Sequence, residues 1–212
     1  MWAFPVVAAV GYLSGSIPSG LIMGRLTRGI DLRDFGSGKT GFTNALRTLG
    51  WSAALPVFVA DLAKGALPVV LARIISDEPY VQTVGGLAAL VGHDWPVFAG
   101  FRGGRGVAAA FGALLGMAPL VALALMPLGL AIALVSRYMS LMSISGGVLT
   151  AAVLVALAAA GVEPWAYAVY GVLAGGLIVV LHRENIRRLL AGTEPRIGRG
   201  GERRAEQVER VP

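Results

Sequence analysis

The sequence predicts an all-α integral membrane protein with seven transmembrane helices, on three observations. Of 212 residues, 56% are hydrophobic and 14% charged. Mean hydropathy is +0.72, outside the range of soluble domains and inside that of membrane proteins. Apolar runs near the length that crosses a bilayer, about 20 residues, recur along the chain. Lys and Arg gather in alternate turns between those runs, the bias that orients membrane helices.

The first span is Trp2–Met23, expected as a retained helix because no basic region precedes it. Its run Gly15-Ser16-Ile17-Pro18-Ser19-Gly20 predicts a kink or unwinding. A polar loop, Gly24–Gly50, leads to the second span, Trp51–Ile75, and the acidic turn Ser76-Asp77-Glu78-Pro79 follows. The third span is Tyr80–Phe98, and a second Gly/Arg-rich turn continues to Gly106. Val107–Val135 is too long for one span and divides near Pro119 into two short helices. Arg137–Ser143 interrupts, Ile144–Ala160 is the sixth span and Trp165–Leu181 the seventh. Residues 1–197 form one domain, and the polar, apolar-poor segment 198–212 is expected to be a disordered basic tail.

Charge tests that division. With the N-terminus outside, segments 24–50, 99–106, 136–143 and 182–212 are cytoplasmic and hold five, two, one and eight Lys or Arg, sixteen of the eighteen. The remaining two, Lys64 and Arg73, lie within the second span, and the outer turns carry only Asp77, Glu78 and Glu163. Six spans would scatter the basic clusters over both faces, so seven spans with a cytoplasmic C-terminus satisfy the positive-inside bias. Every polar motif then falls on one face.

The absence of cysteine excludes disulfides, thiolate metal sites and cysteine nucleophiles. Two histidines leave little for a histidine-based metal centre, and no metal or other cofactor is called for. The net charge of +6 needs no nucleic acid, because orienting helices and meeting anionic lipid or phosphate account for it.

Chemistry is concentrated in Phe35–Arg47. Gly36, Gly38 and Gly41 alternate with the hydroxyls of Ser37, Thr40 and Thr43, the Asn44 amide, and the cations Lys39 and Arg47. Glycines let successive N–H groups converge into an anion-binding nest, and nearby hydroxyls and cations strengthen it. A plain glycine-rich loop between helices has the same composition. Gly38-Lys39-Thr40 is not a nucleotide-binding P-loop: Arg33 stands where its first glycine belongs, and no buried strand precedes it.

Other polar groups lie where apolar ones are expected. Asp61 and Lys64, three residues apart in the second span, form either a self-neutralising structural pair or a polar floor beneath the loops. His93 and Asp94 precede a second glycine pair, Gly103-Gly104, bracketed by Arg102 and Arg105. That run serves as a phosphate clamp or as membrane anchoring. Ser140 and Ser143 could cap the sixth helix or donate to an anion. His182, Asn185 and Leu189 share one face of an amphipathic segment.

These runs resemble the bacterial acyl-phosphate-dependent glycerol-3-phosphate acyltransferases, seven-helix membrane enzymes. The resemblance is carried by Gly15–Gly20; by Gly36-Ser37-Gly38 with Thr43-Asn44 and Arg47; by Asp61-x-x-Lys64-Gly65; by Gly92-His93-x-x-Pro96-x-Phe98-x-x-Phe101 with Gly103-Gly104; by Ser140-x-x-Ser143-Ile144; and by His182-x-x-Asn185-Ile186-x-Arg188-Leu189. It covers Gly11 to about Arg196. Lys39, Phe42, Arg102 and Arg105 depart from the family's usual asparagine, alanine and two lysines.

The resemblance implies acyl transfer from an acyl phosphate to the 1-hydroxyl of glycerol 3-phosphate, in the bacterial cytoplasmic membrane, with the site on the cytoplasmic side. It implies Ser37, Gly38 and Arg105 at the transferring phosphate, with Gly36, Gly103 and Gly104 shaping the site and Ser140 and Ser143 beside it. Thr43, Asn44, Arg47 and Asn185 would hold glycerol 3-phosphate, and His93 would serve as base or orienter. The chain lacks the soluble acyltransferases' His-x-x-x-x-Asp, since that count reaches Phe98 from His93 and Arg187 from His182. Direct attack in a ternary complex is therefore expected, without a cofactor or an obligate protein partner. A small transporter or flippase is the rival reading, but the polarity is one-sided and no internal repeat is seen.

Overall fold

The structure is a computed structural model that describes residues 1–204. Ten α-helices and two short 3₁₀ turns make up the described residues, with no named strand among them. The expected tail from residue 198 is described as far as Arg204; residues 205–212 lie outside the described residues.

The first apolar run is two helices, α1 (Ala3–Gly15) and α2 (Ser19–Arg28), broken at Ser16-Ile17-Pro18. Pro18 has no N–H to continue the ladder, which leaves carbonyls ahead of it without intrahelical partners. The Ile17 carbonyl accepts from the Lys64 ammonium at 2.9 Å. Gly29, at φ 65°, ends α2 in the left-handed conformation. α3 (Phe42–Leu49) then meets α4 (Trp51–Ile75) at Gly50. The break and the buried cation are one arrangement, because each satisfies the other.

α5 (Pro79–Asp94) starts with Pro79 in its first turn, capped by the Glu78 carboxylate accepting from the Tyr80 N–H at 3.4 Å. α6 (Val107–Met117) and α7 (Pro119–Ser136) divide at Pro119 as expected, and α8 (Met139–Ala159) and α9 (Trp165–Leu181) form an antiparallel pair. α10 (Arg183–Leu190) leaves α9 at a bend of 58°. The sixth helix begins at Met139, not Ile144, so Ser140 and Ser143 lie inside its first turns. The Ser143 hydroxyl donates to the Met139 carbonyl at 2.8 Å and caps nothing.

Four helical segments are long and apolar enough to cross a membrane: residues 3–28, 51–75, 119–136 and 139–159. The bent α9–α10 pair would make a fifth only if counted as one span; α9 alone has 17 residues. α5, with 16 residues, and α6, with 11, are shorter. Packing uses small residues, as expected where lipid offers no hydrophobic drive between helices. At Gly65 of α4 an added Cβ would lie 1.9 Å from the Ala109 carbonyl oxygen of α6. The core gathers Val69, Leu90, Ala113, Leu114, Leu154 and Tyr170, and the Tyr170 hydroxyl donates to the Ala110 carbonyl at 2.7 Å. Leu120, Leu134 and Val135 are left exposed, as suits a lipid-facing surface.

Candidate functional site

One end of the helix bundle carries the polar loops. Asn44 of α3 is the hub of the first. Its amide donates to the carbonyls of Leu32, Phe35 and Lys39 at 3.0, 3.1 and 2.8 Å, and its Oδ1 accepts from the Ser37 N–H at 3.0 Å. Asn44 is 2% exposed, so it builds the loop and has no donor left for a substrate. Gly36 and Gly38 take left-handed φ of 51° and 68°. Their N–H groups donate to the carbonyls of Glu202 and Phe35.

The second glycine pair behaves alike. The N–H groups of Gly103 and Gly104 donate to the Asp94 and His93 carbonyls at 3.2 and 3.1 Å. The expected nests are corrected at four glycines: Gly36, Gly38, Gly103 and Gly104 spend their N–H groups inside the protein. Their contribution is closeness. An added Cβ at Gly104 would lie 1.9 Å from His93 Nε2.

Side chains supply what the backbone does not. Between the two loops is a cavity of about 740 Å³, lined among others by Ser37, Gly38, Lys39, Asp94, Arg102 and Arg105. Arg203 and Arg204 reach it from the C-terminal segment, which lies along Phe35. Burial lowers the Lys39 pKa, and Arg105 adds to the shift. Burial also lowers Arg105, to about 10, helped by Arg188. Arg105 remains a cation near neutral pH, and both side chains are incompletely hydrated and suited to a multivalent anion.

His93 does not line this cavity. It is 4% exposed behind the glycine pair, with Nδ1 at 3.6 Å from Asp61 Oδ1, beyond hydrogen-bonding distance. Asp61 pairs with Lys64 at 2.9 Å and accepts from the Ser19 hydroxyl. Nε2 faces Gly104 on one side and Gly41 on the other, which makes His93 a support for the Gly103-Gly104 wall.

A second polar cluster adjoins Arg105. Arg47 donates to the Pro195 carbonyl at 3.3 Å, while Asn185 and Arg188 both donate to Glu194 at 2.7 Å. Burial lowers the Arg47 pKa, and Arg188 works in the same direction. Four buried atoms here, Arg47 Nε, Arg105 Nε, Ser140 Oγ and Asn185 Oδ1, have no hydrogen-bond partner among the described residues. Such atoms mark a place for a polar ligand. The structure thus brings Arg47, Ser140 and Asn185 together and reaches the cavity through Arg105. Thr43, in the first turn of α3, and Ser143 line neither region.

Sequence reasoning missed His182, Arg188 and Glu194 as site residues. His182 is 3% exposed, and burial next to Arg105 lowers its pKa to about 4, so it is neutral near pH 7. Its Nδ1 faces the Ile178 carbonyl at 2.8 Å. A carbonyl only accepts, so Nδ1 carries the hydrogen and Nε2 is the acceptor. The face shared by His182 and Asn185 was the available signal. Glu194 had none, because its role depends on the chain folding back. Among the described residues no group of His, Asp and Glu is arranged for a metal ion.

Comparison with known proteins places the chain. The family described as glycerol-3-phosphate acyltransferase matches residues 5–192. A Synechococcus glycerol-3-phosphate acyltransferase is 46% identical over 196 residues, 92% of this chain and 96% of that protein. A Thermus thermophilus protein of the same name is 44% identical over 189 residues, 89% of this chain and 92% of its own length. The crystal structure of PlsY, an integral membrane glycerol 3-phosphate acyltransferase in its glycerol 3-phosphate form, is 37% identical with a TM-score of 0.84, covering both chains fully. The lysophosphatidic acid form of PlsY aligns with a TM-score of 0.82 at 38% identity, over 92% of this chain and 95% of that one. The matched length, the identities and the shared helical frame agree: this chain belongs to the glycerol-3-phosphate acyltransferase family.

Proposed function

We propose that the chain transfers the acyl group of an acyl phosphate to the 1-hydroxyl of glycerol 3-phosphate, releasing lysophosphatidate and inorganic phosphate. The observation that carries the reading is Arg105, which lines the cationic cavity and also adjoins the buried cluster of Arg47, Asn185 and Arg188. Two phosphate-bearing substrates need two such places side by side. The donor phosphate occupies the cavity beside Ser37, Lys39 and Arg105. The acceptor phosphate occupies the cluster, whose unpartnered Arg47 Nε and Ser140 Oγ become satisfied.

The reaction is a direct displacement at the acyl carbon. The acceptor's hydroxyl oxygen bonds to that carbon, the acyl carbon–phosphate oxygen bond breaks, and the hydroxyl proton leaves on a phosphate oxygen. Holding both reactants in attack geometry can supply about 7–11 kcal/mol of the barrier reduction. Lys39 and Arg105 stabilise charge on the departing phosphate. His93, behind the wall, positions Gly103 and Gly104 without handling the proton.

The seven-span arrangement with N-terminus outside belongs to this reading, with α5, α6 and α9 as the shorter crossings. The one-sided placement of basic residues supports it, and so does the gathering of both polar loops at one end of the bundle. The site then faces the cytoplasm of a bacterial inner membrane, needing no obligate protein partner. Purified protein in detergent, supplied with acyl phosphate and glycerol 3-phosphate, should release phosphate and form the monoacyl product. No release above the rate without enzyme would refute the reading, and equal turnover with acyl-coenzyme A as sole donor would refute the donor assignment.

A further inference from the structure

Glu194 lies two residues past the region matched by the family, and the reaction as derived above leaves it without a task. Its side chain is 1% exposed, and it is the only carboxylate among the described residues that accepts from both Asn185 and Arg188. Burial opposes its charge, but the hydrogen bonds from Asn185 and Arg188 help to outweigh burial and its pKa is lowered. It is therefore ionised near neutral pH and can only accept hydrogen bonds.

That restriction decides how Asn185 points. A carboxylate on one side forces the NH₂ of the amide toward itself, at 2.7 Å. The other end, Oδ1, is left buried with no partner among the described residues. We propose that Glu194 is a positioning residue: it locks the Asn185 amide so that Oδ1 faces the acceptor substrate and takes a hydrogen bond from its hydroxyl. This rests on the acyl-transfer reading. Glu194 also sets the charge of the cluster. Arg47, Arg105 and Arg188 all feel its field. Three guanidiniums and one carboxylate leave a local charge of +2, which matches a phosphate monoester of about −1.5 to −2.

The test is Glu194→Gln. Glutamine has one oxygen for two claimants. The Arg188 guanidinium takes it, so the glutamine NH₂ meets Asn185, whose amide must turn and give up its free oxygen. The same change removes a negative charge beside the acceptor phosphate. Turnover and affinity therefore move in different directions. kcat should fall about tenfold to a hundredfold, the worth of one hydrogen bond to a charged or reacting group, with KM for glycerol 3-phosphate unchanged or lower. Loss of folded protein would lower the apparent kcat without moving KM, so rates are taken per folded protein from the melting curve, and distortion of the cluster itself would raise KM.

The exchange Asn185→Asp with Glu194→Gln restores the geometry with the donor reversed. The carboxylate introduced at position 185 accepts from the amide introduced at position 194 through one oxygen and offers the other to the substrate. kcat should therefore recover at least about tenfold over the single variant. The exchange also keeps the test open should Glu194→Gln not fold. Two results would overturn the proposal: Glu194→Gln keeping kcat within about twofold of wild type, or an exchange variant no faster than the single one. Phosphate release by the wild-type protein tests the acyl-transfer reading on its own, and ratios between variants test the role of Glu194.

Discussion

Gly104→Ala is the sharpest test of how the site is built. An ideal Cβ on Gly104 would stand 1.9 Å from His93 Nε2, 2.8 Å from Cδ2 and 2.9 Å from Cε1. Ordinary contact begins near 3.5 Å, so the imidazole must retreat by about 1.6 Å or the loop must move away by the same amount. His93 is 4% exposed, with Asp61 on its far side, so it has little room. Overpacking of this kind costs about 1–3 kcal/mol, and a protein of this size shifts in Tm by about 2–4 °C per kcal/mol. The effect on rate should be larger than the effect on stability. Arg105 follows Gly104 directly, and a displacement near 1 Å at a reacting group costs about a hundredfold. Initial rates of phosphate release, with Tm measured in the same detergent, give both quantities. Gly146→Ala is the control, because a Cβ there meets nothing within 4 Å. A Gly104→Ala protein with kcat within about twofold of wild type would refute the reasoning, as would an equal loss in Gly146→Ala.

Other predictions address separate links. Lys64→Met strands the buried Asp61 carboxylate and should destabilise by about 3–5 kcal/mol, while Lys64→Met with Asp61→Asn should recover most of the lost Tm; an unchanged Tm in the single variant rejects the pairing. Asn44→Ala removes four hydrogen bonds that shape the first loop, so limited proteolysis should cut residues 31–41 faster and activity should fall while Gly146→Ala stays resistant. Arg105 is a cation below its lowered pKa of about 10 and loses charge above it. KM for both substrates should therefore stay level from about pH 7 to 9 and climb near pH 10, and Arg105→Lys should bring the climb to lower pH; a KM flat through about pH 10.5 would contradict this assignment. For topology, the natural absence of cysteine allows single-cysteine labelling. Arg25→Cys, Arg102→Cys and Arg196→Cys should resist an impermeant thiol reagent in intact cells while Glu78→Cys reacts, and outside labelling of position 102 would overturn the seven-span arrangement.

The sequence by itself determined what depends on local composition and period. Hydropathy marked the apolar segments to within a few residues, because span length follows from bilayer thickness. Pro18 and Pro119 stand at helix breaks where breaks were expected, whereas Pro56, Pro68 and Pro127 lie inside helices, so the missing N–H favours a break without deciding it. Asp61 and Lys64 could be paired from their spacing alone, because residues three apart share a helix face. Polar clustering marked the candidate site without locating its parts.

Tertiary structure decided which groups remain free. The glycine runs read as nests because glycine permits that shape, but whether an N–H stays unpaired depends on distant carbonyls such as that of Glu202. Asn44 and Asn185 are the same residue type in similar polar surroundings. Asn44 is saturated by its own loop, and Asn185 keeps a free oxygen only because Glu194 returns to meet its NH₂. His93 and His182 differ for the same reason: one is enclosed behind Gly104, and the other is turned by the Ile178 carbonyl. A residue's type sets what it can donate or accept. The partners brought to it by the folded chain set what it has left for a substrate.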